Sequence, residues 1–138
     1  MGLILDTSIL ISEEKGKMDL AFVRLFTATP ALISAITASE FLHGIERETD
    51  AVRKSRRQTR VEAMFKTLTI IPFDLAQARM HAQIWSDLVK RGQKIGAYDL
   101  IIAAAGLTLG HEVATLNLDE FQRVTGLKVV DARPFLIS

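Results

Sequence analysis

Carboxylate side chains follow apolar segments at several points in this sequence, and their positions suggest a chemistry. Asp6 comes directly after the apolar residues 3–5, and a polar group that includes Asn117 and Glu120 follows residues 113–115. In a parallel sheet, functional groups gather at the carboxyl ends of the strands. Carboxylates crowded at one such edge repel each other unless a divalent cation binds among them. The pattern therefore predicts a metal site, which could hydrolyse a phosphodiester with a metal-activated water.

Two further carboxylates stand in helical patterns. Asp99 lies at the head of the apolar helix predicted over residues 98–109, where a buried carboxylate is costly unless it caps the helix, pairs with a cation or binds a metal. Glu40 points away from the apolar face of its predicted helix, on the side of Gly44, whose small size would leave a cleft beside the carboxylate. That apolar face consists of Ala38, Phe41, Leu42 and Ile45.

A simpler interpretation accompanies each of these acids. Asp6 can cap the helix that follows it, with Thr7 and Ser8 serving either as caps or as supports of a carboxylate. Glu40 can be an ordinary surface residue, and Asp99 can be a helix cap. The residues taken one at a time leave both interpretations open.

The elements that would position these acids alternate along the chain. Strands are predicted at residues 3–5, 31–34, 68–71, 113–115 and 127–130. Residues 9–14 are predicted to form the start of a helix or a turn. Helices are predicted over residues 19–28, 37–49, 51–66, 74–90 and 98–109, with Asp74 as an N-cap, Gly110 as a terminator, and Phe65 and Trp85 packed in the core. Short apolar strands alternating with helices predict a single α/β domain over residues 1–138, a parallel sheet of about five short strands with helices on both faces.

Composition limits the metals and the locations that are possible. The 138 residues contain no cysteine and carry a formal net charge of +1, which excludes disulfides and thiolate metal sites. His43, His81 and His111 have no ligand spacing, so oxygen ligands and a hard ion such as magnesium or manganese are expected. Because no apolar segment approaches the ~20 residues that span a bilayer and the N-terminus lacks a basic start, we expect no membrane association, no signal peptide and a cytoplasmic location.

Four segments together resemble a known family. Residues 3–8, 36–44, 95–104 and 115–121 match, in order and spacing, the motif series of VapC-type PIN-domain toxins along the chain from residue 3 to about 131. The resemblance implies a PIN-like fold and a Mg²⁺-dependent endoribonuclease, with Mn²⁺ as a possible substitute. It further implies the toxin role in a type II toxin–antitoxin system, with RNA as substrate, a cognate antitoxin as partner, and a homodimer.

The same resemblance assigns roles to individual residues. It places the three main acidic positions on Asp6, Glu40 and Asp99, which are expected to be both catalytic and metal-binding. For the fourth acidic position we favour Glu120 as the catalytic contributor, while Asn117 and Asp119 remain alternatives. Supporting roles are expected for Ser8, Thr115 and Asn117.

A basic stretch follows Glu46, Glu48 and Asp50. Its five basic residues are Arg53, Lys54, Arg56, Arg57 and Arg60. They could bind RNA phosphates, or they could form a solvated helix face with weak local ion pairs. If Arg56, Arg57 and Arg60 each contact a phosphate, replacing all three should lower the slope of log RNA affinity against log salt by roughly 2 units.

Two other kinds of protein are compatible with a sheet of this type. A receiver-like signalling module would need a pair of adjacent acids after the first strand, where this sequence has Asp6 alone. A PIN-fold scaffold without catalysis would bind partners only, and the full acidic set argues against it. The sequence has no phosphate-binding glycine loop, which argues against a nucleotide-dependent enzyme.

Overall fold

The computed structural model describes residues 2–137, and these form one five-stranded sheet in the order β3-β2-β1-β4-β5. Each neighbouring pair of strands is parallel. The carboxyl ends of all five strands therefore meet at one edge of the sheet. The strands are β1 (Leu3–Leu5), β2 (Leu32–Ser34), β3 (Thr69–Ile71), β4 (Glu112–Thr115) and β5 (Val129–Asp131).

Helices connect the strands and cover the sheet. They are α1 (Thr7–Glu14), α2 (Ala35–Glu46), α3 (Ala51–Thr67), α4 (Leu75–Lys90), α5 (Ala97–Leu109) and α6 (Leu118–Gln122), with 3₁₀ helices at Leu20–Leu25 and Arg133–Phe135. No helix within residues 2–137 combines the length and the apolarity needed to cross a membrane.

The core lies on both faces of the sheet. Leu3 and Leu5 pack in one apolar cluster with Phe22 and Phe41, while Ile4 packs in a second cluster that includes apolar side chains of α4 and α5. Successive side chains of a strand point to opposite faces, so both faces of β1 are buried. The predicted fold class, a parallel sheet with helices on both faces, is confirmed.

Helix caps fix several boundaries. Asp74 accepts a hydrogen bond from the Gln77 backbone N–H at 3.0 Å, as predicted for an N-cap. The helix predicted from residue 37 begins two residues earlier, because the Ser34 hydroxyl accepts from the Ile36 backbone N–H at 3.2 Å and caps α2. Gly110 ends α5 in the left-handed conformation, with φ of 69°, which glycine adopts without a steric penalty.

Three local predictions differ from the structure. The helix predicted over residues 19–28 is a short 3₁₀ helix, in which the Phe22 ring stacks on Phe135 with centroids 4.9 Å apart. The last strand is Val129–Asp131, shifted toward the C-terminus from the predicted 127–130. Helix α6 was not predicted, because five residues are too few to show helical periodicity.

The predicted burial of Trp85 is wrong. Its side chain is 58% exposed on α4, and Leu42 of the predicted apolar face of α2 is 41% exposed. Phe65, by contrast, is partly buried and packs against the core as predicted. Apolar type and helical spacing alone do not distinguish a core position from an exposed apolar surface.

Candidate active site

Asp6 is buried at the carboxyl end of β1 and is held by three donors. Its Oδ1 accepts from the Ser8 hydroxyl at 2.5 Å and from the Ile9 backbone N–H at 3.3 Å. Its Oδ2 accepts from the Thr115 hydroxyl at 2.6 Å. Asp6 therefore caps α1 and also joins the ends of β1 and β4, so the capping interpretation and the site interpretation are compatible.

The predicted supporting residues connect the loop after β4 to α1. The Ser8 hydroxyl accepts from the Leu116 backbone N–H at 3.2 Å. The Thr115 hydroxyl accepts from the Asn117 backbone N–H at 2.7 Å. Each hydroxyl thus donates to Asp6 and accepts from the loop that leads to α6, which fixes that loop relative to the buried carboxylate.

Glu40 is half-buried on α2 and is fixed by a residue of α1. The Thr7 hydroxyl donates to Glu40 Oε1 at 2.7 Å and lies 3.1 Å from the Thr37 hydroxyl. Sequence reasoning expected Thr7 to support Asp6 or to cap the helix. The partner is instead a carboxylate 33 residues away, a pairing that no local pattern could indicate.

Asp99 and Glu120 approach each other beside Gly96, where a side-chain carbon would lie 3.6 Å from Asp99 Oδ2 and 3.9 Å from Glu120 Oε2, and Asp99 also lines a cavity together with Glu40. Asp99 lies in the first turn of α5, whose N-cap is Gly96. Glu120 Oε2 accepts from Asn117 Nδ2 at 2.7 Å, and Glu120 Oε1 accepts from the Gly96 backbone N–H at 3.3 Å. These contacts support Glu120 as the fourth acid and Asn117 as its polar neighbour, whereas Asp119 is exposed. The assignment of the fourth position stays a prediction.

The acidic groups influence one another's proton affinity. Burial, the hydrogen bond with Glu120 and the negative charges of Asp6, Glu120 and Glu40 raise the pKa of Asp99 to about 8. Burial also raises the pKa of Asp6, despite its hydrogen bonds. The hydrogen bond from Asp99 lowers the pKa of Glu120. Without a cation, the Asp99–Glu120 pair therefore keeps one shared proton well above the pH at which a lone carboxyl group ionises.

The chemistry of these side chains fits a hard divalent cation. All four acids offer oxygen ligands, and the pair that shares a proton has an excess of negative charge that a cation could neutralise in the proton's place. Within residues 2–137, no three acidic or histidine side chains are arranged so that they could hold one metal ion together. Magnesium commonly binds through one or two carboxylates and retains several waters. The three-residue ligand set of Asp6, Glu40 and Asp99 stays a prediction.

A cleft of about 530 Å³ opens beside Glu40. Gly44 lines this cleft together with Glu40, so open space lies beside the carboxylate as expected. The position that a Gly44 side chain would take is nevertheless occupied, because a carbon there would lie 2.6 Å from Arg57 Nη1 of α3. The cleft is lined by Thr7, Ile11, Ser39, Glu40, Phe41, His43, Gly44, Arg47, Arg57 and Tyr98.

Most of the basic stretch is paired with acids. Arg53 lies 3.2 Å from Asp50, and Lys54 lies 3.8 Å from Glu46. Arg57 and Arg60 both bind Glu14. These pairs agree with the local ion-pair interpretation for much of the stretch, while Arg57 alone among the five lines the cleft.

The three histidines lie in separate environments. His43 lines the cleft on the same helix as Glu40. His111 Nδ1 accepts from the Gly2 backbone N–H at 2.9 Å. His81 packs edge-on between Phe73 and Trp85, and burial lowers its pKa.

We expect the metal-free protein to lose stability as the pH rises from about 5 to 8. Asp99 releases its proton near its usual pKa of 3.8 when unfolded but near 8 when folded, so the folded state binds the proton more tightly. The raised pKa of Asp6 acts in the same direction. Thermal unfolding followed in chelator at a series of pH values measures the effect. The Asp99→Asn variant should show a flatter profile, and a parent whose stability rises over this interval would contradict the expectation.

Comparison with known proteins gives the class of this molecule. A family model described as the PIN domain matches residues 3–127, and the chain therefore belongs to the PIN-domain family. Ribonuclease VapC1 of Rickettsia felis is 35% identical over 130 residues, which cover 94% of this chain and 96% of that protein. The tRNA(fMet)-specific endonuclease VapC of Salmonella typhimurium is 31% identical over 129 residues, which cover 93% of this chain and 96% of that protein.

Solved structures agree with this relationship. The DNA-bound VapBC of Salmonella typhimurium has a TM-score of 0.84 at 30% identity, covering 95% of this chain and 98% of that chain. The predicted relationship to VapC-type PIN-domain proteins is confirmed. Since the chain is a PIN domain, the receiver-like alternative is excluded.

Proposed function

We propose that this chain is a metal-dependent endoribonuclease and the toxin component of a toxin–antitoxin pair. One observation carries the catalytic part: four acids from separate segments of the chain gather at the strand ends, where Asp6 is held by Thr115, Glu40 and Asp99 line one cavity, and Asp99 and Glu120 approach each other beside Gly96. A structural role alone does not account for four acids at one edge, because their mutual repulsion destabilises the fold without a cation. Mg²⁺ is the proposed cofactor, with Mn²⁺ as a possible substitute.

The chain's own residues have distinct tasks in this mechanism. When bound, the cation would supply Lewis acidity toward a phosphate and a water that is more easily deprotonated. Asp6, Glu40 and Asp99 are the proposed ligands, and Glu120 is the proposed fourth catalytic acid. Ser8 and Thr115 orient Asp6, and Thr7 orients Glu40, so these carboxylates are preorganised before substrate arrives.

Incubation of the purified protein with single-stranded RNA and magnesium tests the proposal. Internal cleavage that the Asp99→Asn variant does not produce is the expected result. A parent that binds RNA but never cleaves it would favour the PIN-fold scaffold without catalysis, the remaining alternative.

An antitoxin protein is the proposed partner, and the cytoplasm is the proposed location. The solved relative from Salmonella typhimurium is a VapBC complex, which supports an assembly of this kind for the present chain. RNA as the substrate is supported by the ribonuclease names of the curated relatives.

A homodimer is also proposed, and the exposed apolar surface of α4 supports it. Leu75, Trp85 and Val89 are 66%, 58% and 53% exposed, and apolar surface of this kind marks interaction sites. A net charge of +1 gives two copies little reason to repel each other.

We expect Trp85→Glu to convert the dimer into a monomer, because a charge would be buried where the indole packs. Light scattering during gel filtration measures the mass. Leu25→Glu is the matched control, since Leu25 is 71% exposed but lies outside α4. A Trp85→Glu protein with the parental mass, or a monomeric parent, would exclude this interface.

A further inference from the structure

The basic residues of α3 differ in what surrounds them. Arg53 and Lys54 pair with acids in or just after α2, and their side chains are 70% and 37% exposed. The Arg57 side chain is only 29% exposed and lines the cleft together with Glu40 and Tyr98. Arg57 therefore faces the proposed catalytic edge, unlike most of the basic stretch.

Glu14 of α1 holds the Arg57 guanidinium in place. Glu14 Oε2 accepts from Arg57 Nε at 3.1 Å, and Glu14 Oε1 accepts from Arg57 Nη2 at 3.2 Å. A pair of parallel bonds of this kind fixes the plane of the guanidinium. Arg60 Nη2 also donates to Glu14 Oε2, at 3.0 Å, so one carboxylate is shared by two arginines. Glu14 therefore neutralises only part of the charge of the two arginines, and Arg57 and Arg47 are the arginines that line the cleft.

Gly44 makes room for this arrangement. A side-chain carbon at Gly44 would lie 2.6 Å from Arg57 Nη1, which is closer than real contacts allow, and 3.0 Å from Nη2, which is a tight contact. Gly44 lies inside α2, where glycine is less favourable than alanine. Helix α2 therefore has a glycine at the point where the Arg57 guanidinium crosses it. The nitrogen nearest to Gly44 is Nη1, which does not donate to Glu14.

We infer that Arg57 binds a phosphate of the RNA in the cleft beside Glu40, positioned by Glu14 and by the absence of a side chain at Gly44. The inference rests on the proposed ribonuclease function. A fixed guanidinium matches the geometry of a phosphate better than a lysine does. Arg57 would hold the RNA backbone at a fixed distance from the carboxylates. The other basic residues of α3 would contribute little to RNA affinity.

Steady-state cleavage by Arg57→Gln tests the inference. The expected result is a KM for RNA raised by about tenfold or more, since a charged hydrogen bond to a phosphate is lost, with a much smaller change in kcat. The slope of log affinity against log salt should fall by about 0.7, the value for one phosphate on a single strand. Arg56→Gln is the matched control, because Arg56 is exposed on the same helix and the change in charge is identical.

Gly44→Ala provides a second variant that removes no charge. The added methyl group should displace Arg57, so KM should rise and the salt slope should fall as in Arg57→Gln. Alanine is the better helix former, and this gain opposes the loss of the Glu14–Arg57 bonds, so the melting temperature should change little. The double variant Gly44→Ala/Arg57→Gln should bind RNA no more weakly than Arg57→Gln alone.

Several outcomes would overturn the inference. These are equal KM values for Arg57→Gln and Arg56→Gln, or additive losses in the double variant. If a triple variant at Arg56, Arg57 and Arg60 lowers the slope of log affinity against log salt by roughly 2 units, the phosphate contacts are instead spread over the whole basic stretch. If Arg57→Gln keeps the parental KM but no longer binds the antitoxin, the residue serves the protein partner. A parent that does not bind RNA at all would overturn the proposed function together with the inference.

Discussion

An Asp99→Asn variant is expected to lose RNA cleavage by about three orders of magnitude while keeping its fold. The amide preserves the shape of the side chain but removes the negative charge that would hold a cation. Metal stabilisation of a phosphoryl transition state is worth several kcal/mol, and each 1.36 kcal/mol corresponds to a factor of ten in rate. Single-turnover cleavage at saturating RNA measures the loss directly.

The matched control for this variant is Asp119→Asn. Asp119 is exposed on α6, one residue before Glu120, and the charge removed is the same, so cleavage should stay near the parental rate. In metal-free buffer near pH 8, Asp99→Asn should be at least as stable as the parent, because one member of a mutually repelling group is gone. Parental activity in Asp99→Asn would rule out a metal-binding role for this carboxylate.

Removal of divalent cations is expected to abolish cleavage, and magnesium or manganese should restore it. Calcium should restore little, because its longer bonds and looser coordination would misplace the phosphate and the attacking water. Below about pH 8, protons compete with the cation for the Asp99–Glu120 pair, so the magnesium affinity should increase with pH over this range. Cleavage rates in chelator followed by titration of each cation measure these effects.

Binding can be separated from chemistry in the same experiment. RNA affinity measured in calcium shows whether the substrate still binds when cleavage does not occur. Zinc-free buffers and a chelator that leaves no detectable divalent ion are the necessary controls. Cleavage that continues undiminished in chelator would show that the acidic edge acts without a metal.

The class of fold could be predicted from the sequence, and so could the expectation that acids gather at the carboxyl ends of the strands. Short strands that are buried on both faces consist of consecutive apolar residues, so residues 3–5 and 113–115 could be recognised as strands from the local sequence. Because parallel strands end at the same edge, the position of Asp6 directly after its strand was enough to predict a site there. Asp99 was indicated by a second local feature, a carboxylate at the head of an apolar helix.

The pairing of the side chains could not be predicted from the sequence and follows from the packing of the elements. Thr115 donates to Asp6 across 109 residues, and Arg57 reaches Glu14 across 43, separations over which helical and strand periodicity carry no information. Local periodicity specifies which face of an element is apolar, but which polar side chains meet depends on how the packed elements are placed relative to one another. For the same reason Trp85, at a helical core spacing, is exposed, and the position that a Gly44 side chain would take is occupied by a guanidinium from another helix.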